Sequence, residues 1–529
     1  MNQKTINAIK KSVCKVHGVN RMYNFDQPYQ LNDEYESGGT GFFVDPDHFG
    51  DKFKAKRNCR YLLTNFHVCQ NYISKSCLLE WPDRNKSYLI ADVLYVAPNL
   101  DVAILELNIG VPQVKWWAGD HIQWLEKIKN CPLNTKDIIK GSSQNVKCIG
   151  FPNLQSDYQL SHGTLSSRGL GMLSCDLSIN AGNSGGPLFL SNKVVGICTA
   201  SICDSERLAL AVPIQEIFRF FQHYCDFNSQ ILRLPCWGMQ LKSLTPEYMD
   251  HRGIDRAFSG TLVKSVIENQ SCAKAGLKKG DIIVGIETKD VKGNVVKYKV
   301  DSFAQVEFES TDMRVRVDSV EFMLNLAEDY VIIHYYRRKK INQTTVHLEP
   351  IDFKVRNRYP TYESISYTVL GGVCFSGLHL NMLTTLVEDE EEEEEENVFD
   401  HSVLNTLKVT QGMENMVCVT HIPPQSYVSF AASDLSENDQ ITKVNNIKIR
   451  DIHHLSSVLD KVAKDYYANR KHGNNFMILH TTNDEHVLNL DSISEAEREL
   501  NQSLHVTLPL RFLQKKKSKK RKRKLDNLR

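Results

Sequence analysis

Residues 182–187 read Gly-Asn-Ser-Gly-Gly-Pro, and no other stretch of this 529-residue chain constrains its fold as tightly. Glycine reaches positive φ at no steric cost, so a serine set among glycines can sit on a turn too sharp for other residues. Such a turn lets the backbone N–H groups of Gly182 and Ser184, with Asn183 between them, point at one spot. Converging N–H donors beside a hydroxyl are what an oxyanion needs when a carbonyl carbon is attacked. The six residues nominate Ser184 as a nucleophile and Gly182, Asn183 and Ser184 as the oxyanion-binding backbone. They supply no base.

A serine hydroxyl is a poor nucleophile near neutral pH. It needs a base, usually His, and a group that fixes the His tautomer, usually Asp. Leu63-Thr64-Asn65-Phe66-His67-Val68 places a His after an apolar strand, and Asn99-Leu100-Asp101-Val102-Ala103-Ile104-Leu105 places an Asp at the head of another. His162 and Asp92 are rivals by residue type alone. The chain order His67, Asp101, Ser184 is that of the chymotrypsin-type double barrel, whereas other folds carry the same groups in other orders.

Composition excludes more than it selects. Formal net charge is +1, so the whole chain has no strong electrostatic bias. The 14 cysteines are scattered without CxxC spacing, as expected of free thiols in a reducing compartment. The first residues, Met1-Asn2-Gln3-Lys4-Thr5-Ile6-Asn7, lack the apolar stretch of a secretory signal, and no run of about 18 apolar residues marks a membrane span. A soluble, intracellular protein is expected, nuclear or cytoplasmic. No cofactor or metal is expected. The one tempting pair, His453-His454, would point about 100° apart on a helix, with no Cys or carboxylate at ligand spacing.

Short apolar runs separated by turns fill residues 11–225 and favour a sandwich or barrel. Ile214–Tyr224 has helical spacing, with Ile214, Ile217, Phe218 and Phe221 on one side. Four segments are expected: a protease domain over 1–228, a β/α module over 229–355, a diverged copy over 356–512, and a basic tail over 513–529. The repeat rests on Gly280-Asp281-Ile282-Ile283 and Asp439-Gln440-Ile441-Thr442. Glu388–Glu396 is an unbroken acidic run, expected to be a disordered loop. Lys515–Lys524 has one non-basic residue, Ser518, and suits nuclear import, nucleic-acid contact or a solvated tail.

The motifs together resemble the HtrA/Deg serine proteases, and the plant-type Deg branch in particular. Thr64-Asn65-Phe66-His67-Val68 is similar to the family's TNAHV stretch, with Phe66 for the usual Ala. Asp101-Val102-Ala103-Ile104-Leu105, Asp176–Pro187, Gly150-Phe151-Pro152 and Ser161-His162-Gly163-Thr164-Leu165-Ser166 match further family stretches. The resemblance implies a mainly β architecture: a chymotrypsin-like double β-barrel protease domain followed by two PDZ-like α+β domains. It implies an endopeptidase acting on unfolded or damaged proteins without ATP, and no Walker-type phosphate loop is present.

It also implies a substrate pocket lined by Ser178, Ile179, Thr199, Ala200 and Ser201. Ser178, six residues before the nucleophile, is not an acid, which argues against Lys or Arg at the cleaved position. In the first PDZ domain, Trp237-Gly238-Met239 would hold a peptide C-terminus through backbone N–H groups. Leu370–Phe375 and Ile449–Leu455 carry the likeness of the second. The family implies a homo-oligomer, a trimer or hexamer. The alternative is a proteolytically latent chaperone or scaffold built on the same modules.

Overall fold

The computed structural model describes residues 3–82, 88–110, 120–134, 144–152, 155, 157–169, 171–201, 208–256, 258–289, 293–308, 313–324, 326, 328–350, 355–382, 413, 415–469, 475–503 and 510–512. These divide into two compact units: one takes in 1–22 and 33–352, the other 23–32 and everything described from 355 onward. The runs 388–396 and 515–524 lie outside the described residues.

The first unit begins with two closed barrels of six antiparallel strands. β1 (Val13–Tyr23), β2 (Leu31–Val44), β3 (Cys59–Thr64), β4 (Ser76–Glu80), β5 (Tyr88–Ala97) and β6 (Val102–Asn108) close in the order β1-β2-β3-β6-β5-β4. β7 (Gln144–Gly150), β8 (Gln159–Gly169), β9 (Met172–Asp176), β10 (Pro187–Leu190), β11 (Lys193–Ser201) and β12 (Leu208–Pro213) close in the order β10-β11-β12-β9-β8-β7. Alternation drives the closure. Along β5, Leu89, Ala91 and Val93 are buried while Tyr88, Ile90 and Asp92 face outward, the period of two that puts one face of a strand on a core. β6 is buried on both faces from Val102 to Leu107.

The helix Ile214–Tyr224 follows Pro213, whose extended backbone ends β12 and opens the helix. Its Phe221 ring meets Phe49 edge-on at 5.4 Å, and Tyr224 Oη donates to the Met323 carbonyl at 2.9 Å. That bond ties the barrels to the module that follows them in the same unit. This module contains β13 (Pro235–Cys236), β14 (Met239–Lys242), β15 (Thr261–Val266), β16 (Ile282–Lys289), β17 (Val295–Lys299), β18 (Gln305–Phe308), β19 (Met313–Arg316), β20 (Tyr330–Arg337), β21 (Lys340–His347) and β22 (Glu349–Pro350). Its main sheet runs β14-β15-β16-β20-β21, so β14 is an edge strand.

The second unit contains β23 (Tyr367–Leu370), β24 (Val373–Gly377), β25 (Val417–His421), β26 (Lys443–Val444), β27 (Ile447–Lys448), β28 (Phe476–His480) and β29 (Glu485–Asn489), with helices Ile452–Asn469 and Leu490–Ser503. Its strands form two sheets, β23-β24-β25 and β27-β26-β28-β29.

Both modules share one hydrogen-bonding signature. In the first, Gly280 N donates to Val263 O (2.9 Å), Val263 N to Asp281 O (2.8 Å), and Lys278 N to Asp281 Oδ2 (2.7 Å). In the second, Asn438 N donates to Val419 O (2.7 Å), Val419 N to Asp439 O (3.0 Å), and Ser436 N to Asp439 Oδ2 (2.8 Å). The glycine and the asparagine both stand at positive φ, +92° and +75°, the conformation these two residue types tolerate best. The fold is mainly β: a double barrel followed by two PDZ-like modules.

Candidate active site

His67 lies in a one-turn helix, Phe66–Cys69, entered through the extended backbone of Asn65 at the end of β3. Phe66 is buried at 4% exposure, so the bulkier residue points into the core and leaves the site clear. Asp101 follows a short 3₁₀ turn at the head of β6 and sits at φ +51°, ψ +46°. Aspartate is among the few non-glycine residues that tolerate this left-handed region. Asn65 Nδ2 donates to the Asp101 carbonyl at 2.8 Å and holds that conformation in place.

The Asp101 carboxylate then reaches His67 twice. His67 N donates to Oδ1 at 2.9 Å, and His67 Nδ1 lies 2.8 Å from Oδ2. A carboxylate can only accept, so Nδ1 carries the proton and the lone pair of Nε2 is left for chemistry. The His67 side chain is 44% exposed and that of Asp101 13%, so the base faces solvent while its partner is held beneath it.

Ser184 stands on the turn between β9 and β10. Asn183 N donates to Asn180 O at 3.0 Å, and Gly182 has φ +95°. A four-residue turn with positive φ at its third residue and negative φ at its second is type II, which glycine at that position favours. Gly185 has φ +83°, and a Cβ there would stand 2.0 Å from the Thr40 carbonyl oxygen. Among the described residues, the backbone N–H groups of Gly182 and Ser184 donate to nothing. Asn183, expected beside them, differs: its single N–H is spent on Asn180.

Two threonines join the halves: Thr40, which sequence reasoning missed, and Thr199, which has a further role beside the one expected. Thr40 of β2 donates from N to Ser184 O (2.8 Å) and from Oγ1 to Gly182 O (2.8 Å), and accepts from Phe151 N (3.1 Å). Its only sequence signal is a small residue between glycines, Gly39-Thr40-Gly41. Thr199, expected along the pocket, is buried at 5% exposure, and its hydroxyl donates to Asp101 Oδ2. The Thr199 carbonyl accepts from Ser184 Oγ at 3.2 Å. Among the described residues no hydrogen bond joins Ser184 Oγ to His67.

Of the other expected pocket residues, Ser178 is exposed and Ile179 is buried at 8% exposure. The side chains of Ala200 and Ser201 lie outside the described residues. The rivals stand elsewhere: Asp92 accepts from Ser76 Oγ at 2.8 Å, and His162 faces Lys147 across β8 and β7. Beneath the serine loop, Cys198 Sγ lies 3.3 Å from Cys148 Sγ, and this contact together with burial pushes the Cys198 thiol well up. That thiol is a packing group rather than a second nucleophile.

In the first PDZ-like module, Trp237 and Met239 are buried, at 2% and 0% exposure, and Gly238 has φ +69°. Trp237 O accepts from Cys272 N (2.9 Å) and Gly238 O from Ile267 N (2.8 Å), while Gly238 N donates to the weak acceptor Cys236 Sγ at 3.3 Å. Among the described residues no group of three or more His, Cys, Asp or Glu is placed to hold a metal ion. His453 meets Ser366 Oγ at 3.4 Å while His454 Nδ1 accepts from Arg450 N at 3.2 Å, so the two rings are committed separately. Among the described residues no helix is long and apolar enough to cross a membrane.

Comparison with known proteins agrees with this geometry. Residues 39–197 match the trypsin-like peptidase domain family and residues 357–499 the PDZ domain family. The putative protease Do-like 3, mitochondrial, of Arabidopsis thaliana is 24% identical over 470 residues, covering 86% of this chain and 73% of that protein. Protease Do-like 2, chloroplastic, of the same plant is 25% identical over 476 residues, covering 86% and 68%. A probable periplasmic serine endoprotease DegP-like of Ectopseudomonas mendocina (strain ymp) is 26% identical over 272 residues, 49% of each chain. A solved HtrA-type protease, AlgW with decapeptide, aligns over 66% of this chain and 98% of its own at 19% identity and TM-score 0.43. The chain thus carries a trypsin-like peptidase domain on the double barrel and a PDZ domain behind it, and it is similar to Deg- and HtrA-type serine proteases.

Proposed function

We propose that the chain is an ATP-independent endopeptidase that cleaves unfolded or damaged proteins with Ser184, His67 and Asp101. The observation that most supports this is the double engagement of His67 by Asp101 at 2.9 and 2.8 Å, which in the neutral ring fixes the tautomer whose Nε2 lone pair can take a proton. In the proposed reaction Ser184 Oγ turns from the Thr199 carbonyl toward Nε2, gives up its proton there and attacks the peptide carbonyl carbon. The imidazolium is stabilised by Asp101. The unspent N–H groups of Gly182 and Ser184 take the oxyanion, each such donor contributing about 3–4 kcal/mol to the transition state. Nε2 then protonates the leaving amine, and water resolves the acyl-enzyme by the same steps.

Ser178, Ile179 and Thr199, with Ala200 and Ser201, are proposed to shape the substrate pocket, and the lack of an acid at 178 favours small or medium apolar side chains. A peptide library cleaved mainly after Lys or Arg would contradict that preference. Assembly as trimers or hexamers is proposed from the family, and a single-chain mass in solution would refute it. Nuclear import through 515–524 is proposed from the basic run alone, and unchanged localisation after deletion of 513–529 would refute it.

A latent chaperone or scaffold is the second reading, favoured by the resting bond from Ser184 Oγ to Thr199 O. Incubation with unfolded casein without ATP separates the two. Cleavage by the wild type, reduced about 10³-fold or more in Ser184→Ala, is expected. Equal suppression of aggregation by both proteins with no cleavage would establish the second reading.

A further inference from the structure

Ser184 and His67 come from different barrels, so the proposed reaction depends on the register between them. β2 pairs with β3 as far as Phe42 and Leu63. Past that point a side chain takes over: Thr64, the last residue of β3, donates from Oγ1 to the Thr40 carbonyl at 2.8 Å. Both threonines are fully buried. Thr40 in turn reaches the serine loop, its N–H meeting Ser184 O and its hydroxyl Gly182 O, each at 2.8 Å. These are the carbonyls of the two residues whose N–H groups are unspent. A hydroxyl has one proton to give. Phe151 N donates to Thr40 Oγ1 at 3.1 Å, so the Thr40 proton is left for Gly182 O.

The flanking glycines show how close the fit is. Neither Gly39 nor Gly41 stands at positive φ; what each supplies is room. A Cβ at Gly39 would lie 2.6 Å from Ser184 O and 2.7 Å from Val68 Cγ2, and one at Gly41 2.8 Å from Val16 Cγ2. At Gly39, β2 therefore runs directly against the serine loop and against Val68, the residue after His67. The other end of the path is as short. Thr64 precedes Asn65, whose amide holds the Asp101 carbonyl, and His67 follows two residues later.

We propose that Thr64 and Thr40 are positioning residues for the proposed reaction, with the Thr64 hydroxyl acting through Thr40. This rests on the reading of Ser184 as nucleophile and His67 as base. The loop takes its own shape from its turn and its glycines; the two hydroxyls set its place against His67. Ser184 Oγ rests on Thr199 O, so its swing toward Nε2 is productive only if the loop stands at the right distance. A misplacement of about 1 Å costs on the order of 10²-fold in rate. Branching at Cβ leaves each threonine few χ1 rotamers, which stiffens the path.

The test compares cleavage of labelled casein by the wild type, Thr40→Val, Thr64→Val, the double variant and the two Thr→Ser variants, well below their melting temperatures. Valine keeps the shape and removes the hydroxyl. A fall in kcat of about 10–100-fold is expected for Thr40→Val and about 3–10-fold for Thr64→Val, with KM within about twofold of the wild type. The double variant should be no slower than Thr40→Val within about twofold, since one residue acts through the other. Thr40→Ser and Thr64→Ser should restore most of kcat. Should Thr40→Val fail to fold, Thr64→Val and its serine rescue read the same path. Lowered melting temperatures with unchanged kcat would reduce the pair to buried structural bonds and overturn the proposal. Fully additive losses would overturn the action of Thr64 through Thr40. If the wild type neither cleaves casein nor reacts at Ser184 with a fluorophosphonate, the reading of the site falls and this inference falls with it.

Discussion

In the first barrel of the protease domain, the proposed site residues are held by side chains; in the second, by backbone. Asp101 is fixed by the Asn65 amide and in turn fixes His67 through both carboxylate oxygens. Ser184 is fixed by a turn between Asn180 and Asn183, by Gly182 and Gly185 at positive φ, and by carbonyls bonded to Thr40. A side-chain-held group should lose function in graded steps as partners are trimmed. A backbone-held group has no such gradation, because an added Cβ collides with atoms that cannot move aside.

Gly185→Ala should give the largest effect. The new Cβ would meet the Thr40 carbonyl at 2.0 Å in a region of positive φ. Loss of stability of about 2–4 kcal/mol is expected, with casein cleavage abolished. Thermal melts and a cleavage assay measure both, and near wild-type activity would show that the loop is not backbone-held. Asp101→Asn comes next. It keeps the shape but favours the wrong tautomer of His67, and kcat should fall by about 10²–10⁴ with little change in melting temperature.

Thr199→Val removes one hydrogen bond to Asp101 while Asp101 keeps its two bonds to His67, so a loss of about 5–30-fold is expected. A loss as large as that of Asp101→Asn would mean that the first half of the site has no gradation either. The smallest effect on cleavage should come from Asp281→Ala, outside the barrels. Asp281 is 2% exposed and pairs with Arg337 at 2.6 Å through both Nε and Nη2. Its loss should cost about 1–3 kcal/mol, since Arg337 can turn toward solvent. Cleavage well below the new melting point should be unaltered.

The two halves were not equally legible. Ser184 and its glycines announce themselves because the turn dictates its own residue types over six positions. His67 and Asp101 were legible only jointly, through chain order, since each alone is an ordinary residue beside a strand. Thr40 and Thr199 were not legible in these roles: a threonine on a strand is common, and theirs follow from which strands come together across the fold. The helix Ile214–Tyr224 matched its apolar spacing because all four spaced residues are buried.

The second module shows the limit of local reading. Leu370-Gly371-Gly372-Val373 carries part of the likeness to a second PDZ-like module. In the structure, Gly371 and Gly372 stand at φ +57° and +99° and make a two-residue hairpin. The turn lays β23 along β24, whereas β14, the strand after the Trp237 loop, ends its sheet among the described strands. Strand pairing depends on where the chain leads after the turn, which the four residues do not encode. Among the described strands, the edge that a peptide would join by strand pairing is β14 in the first module, while the matching strand of the second is paired on both sides.

The central claim is that Ser184 is a nucleophile activated by His67 in a loop already turned for oxyanion binding. Reaction of the purified chain with a fluorophosphonate, followed by peptide mass mapping, tests it most directly. The account predicts a single adduct on Ser184 without any added peptide, formed far more slowly in His67→Ala. No adduct on Ser184, or equal labelling of wild type and His67→Ala, would contradict it.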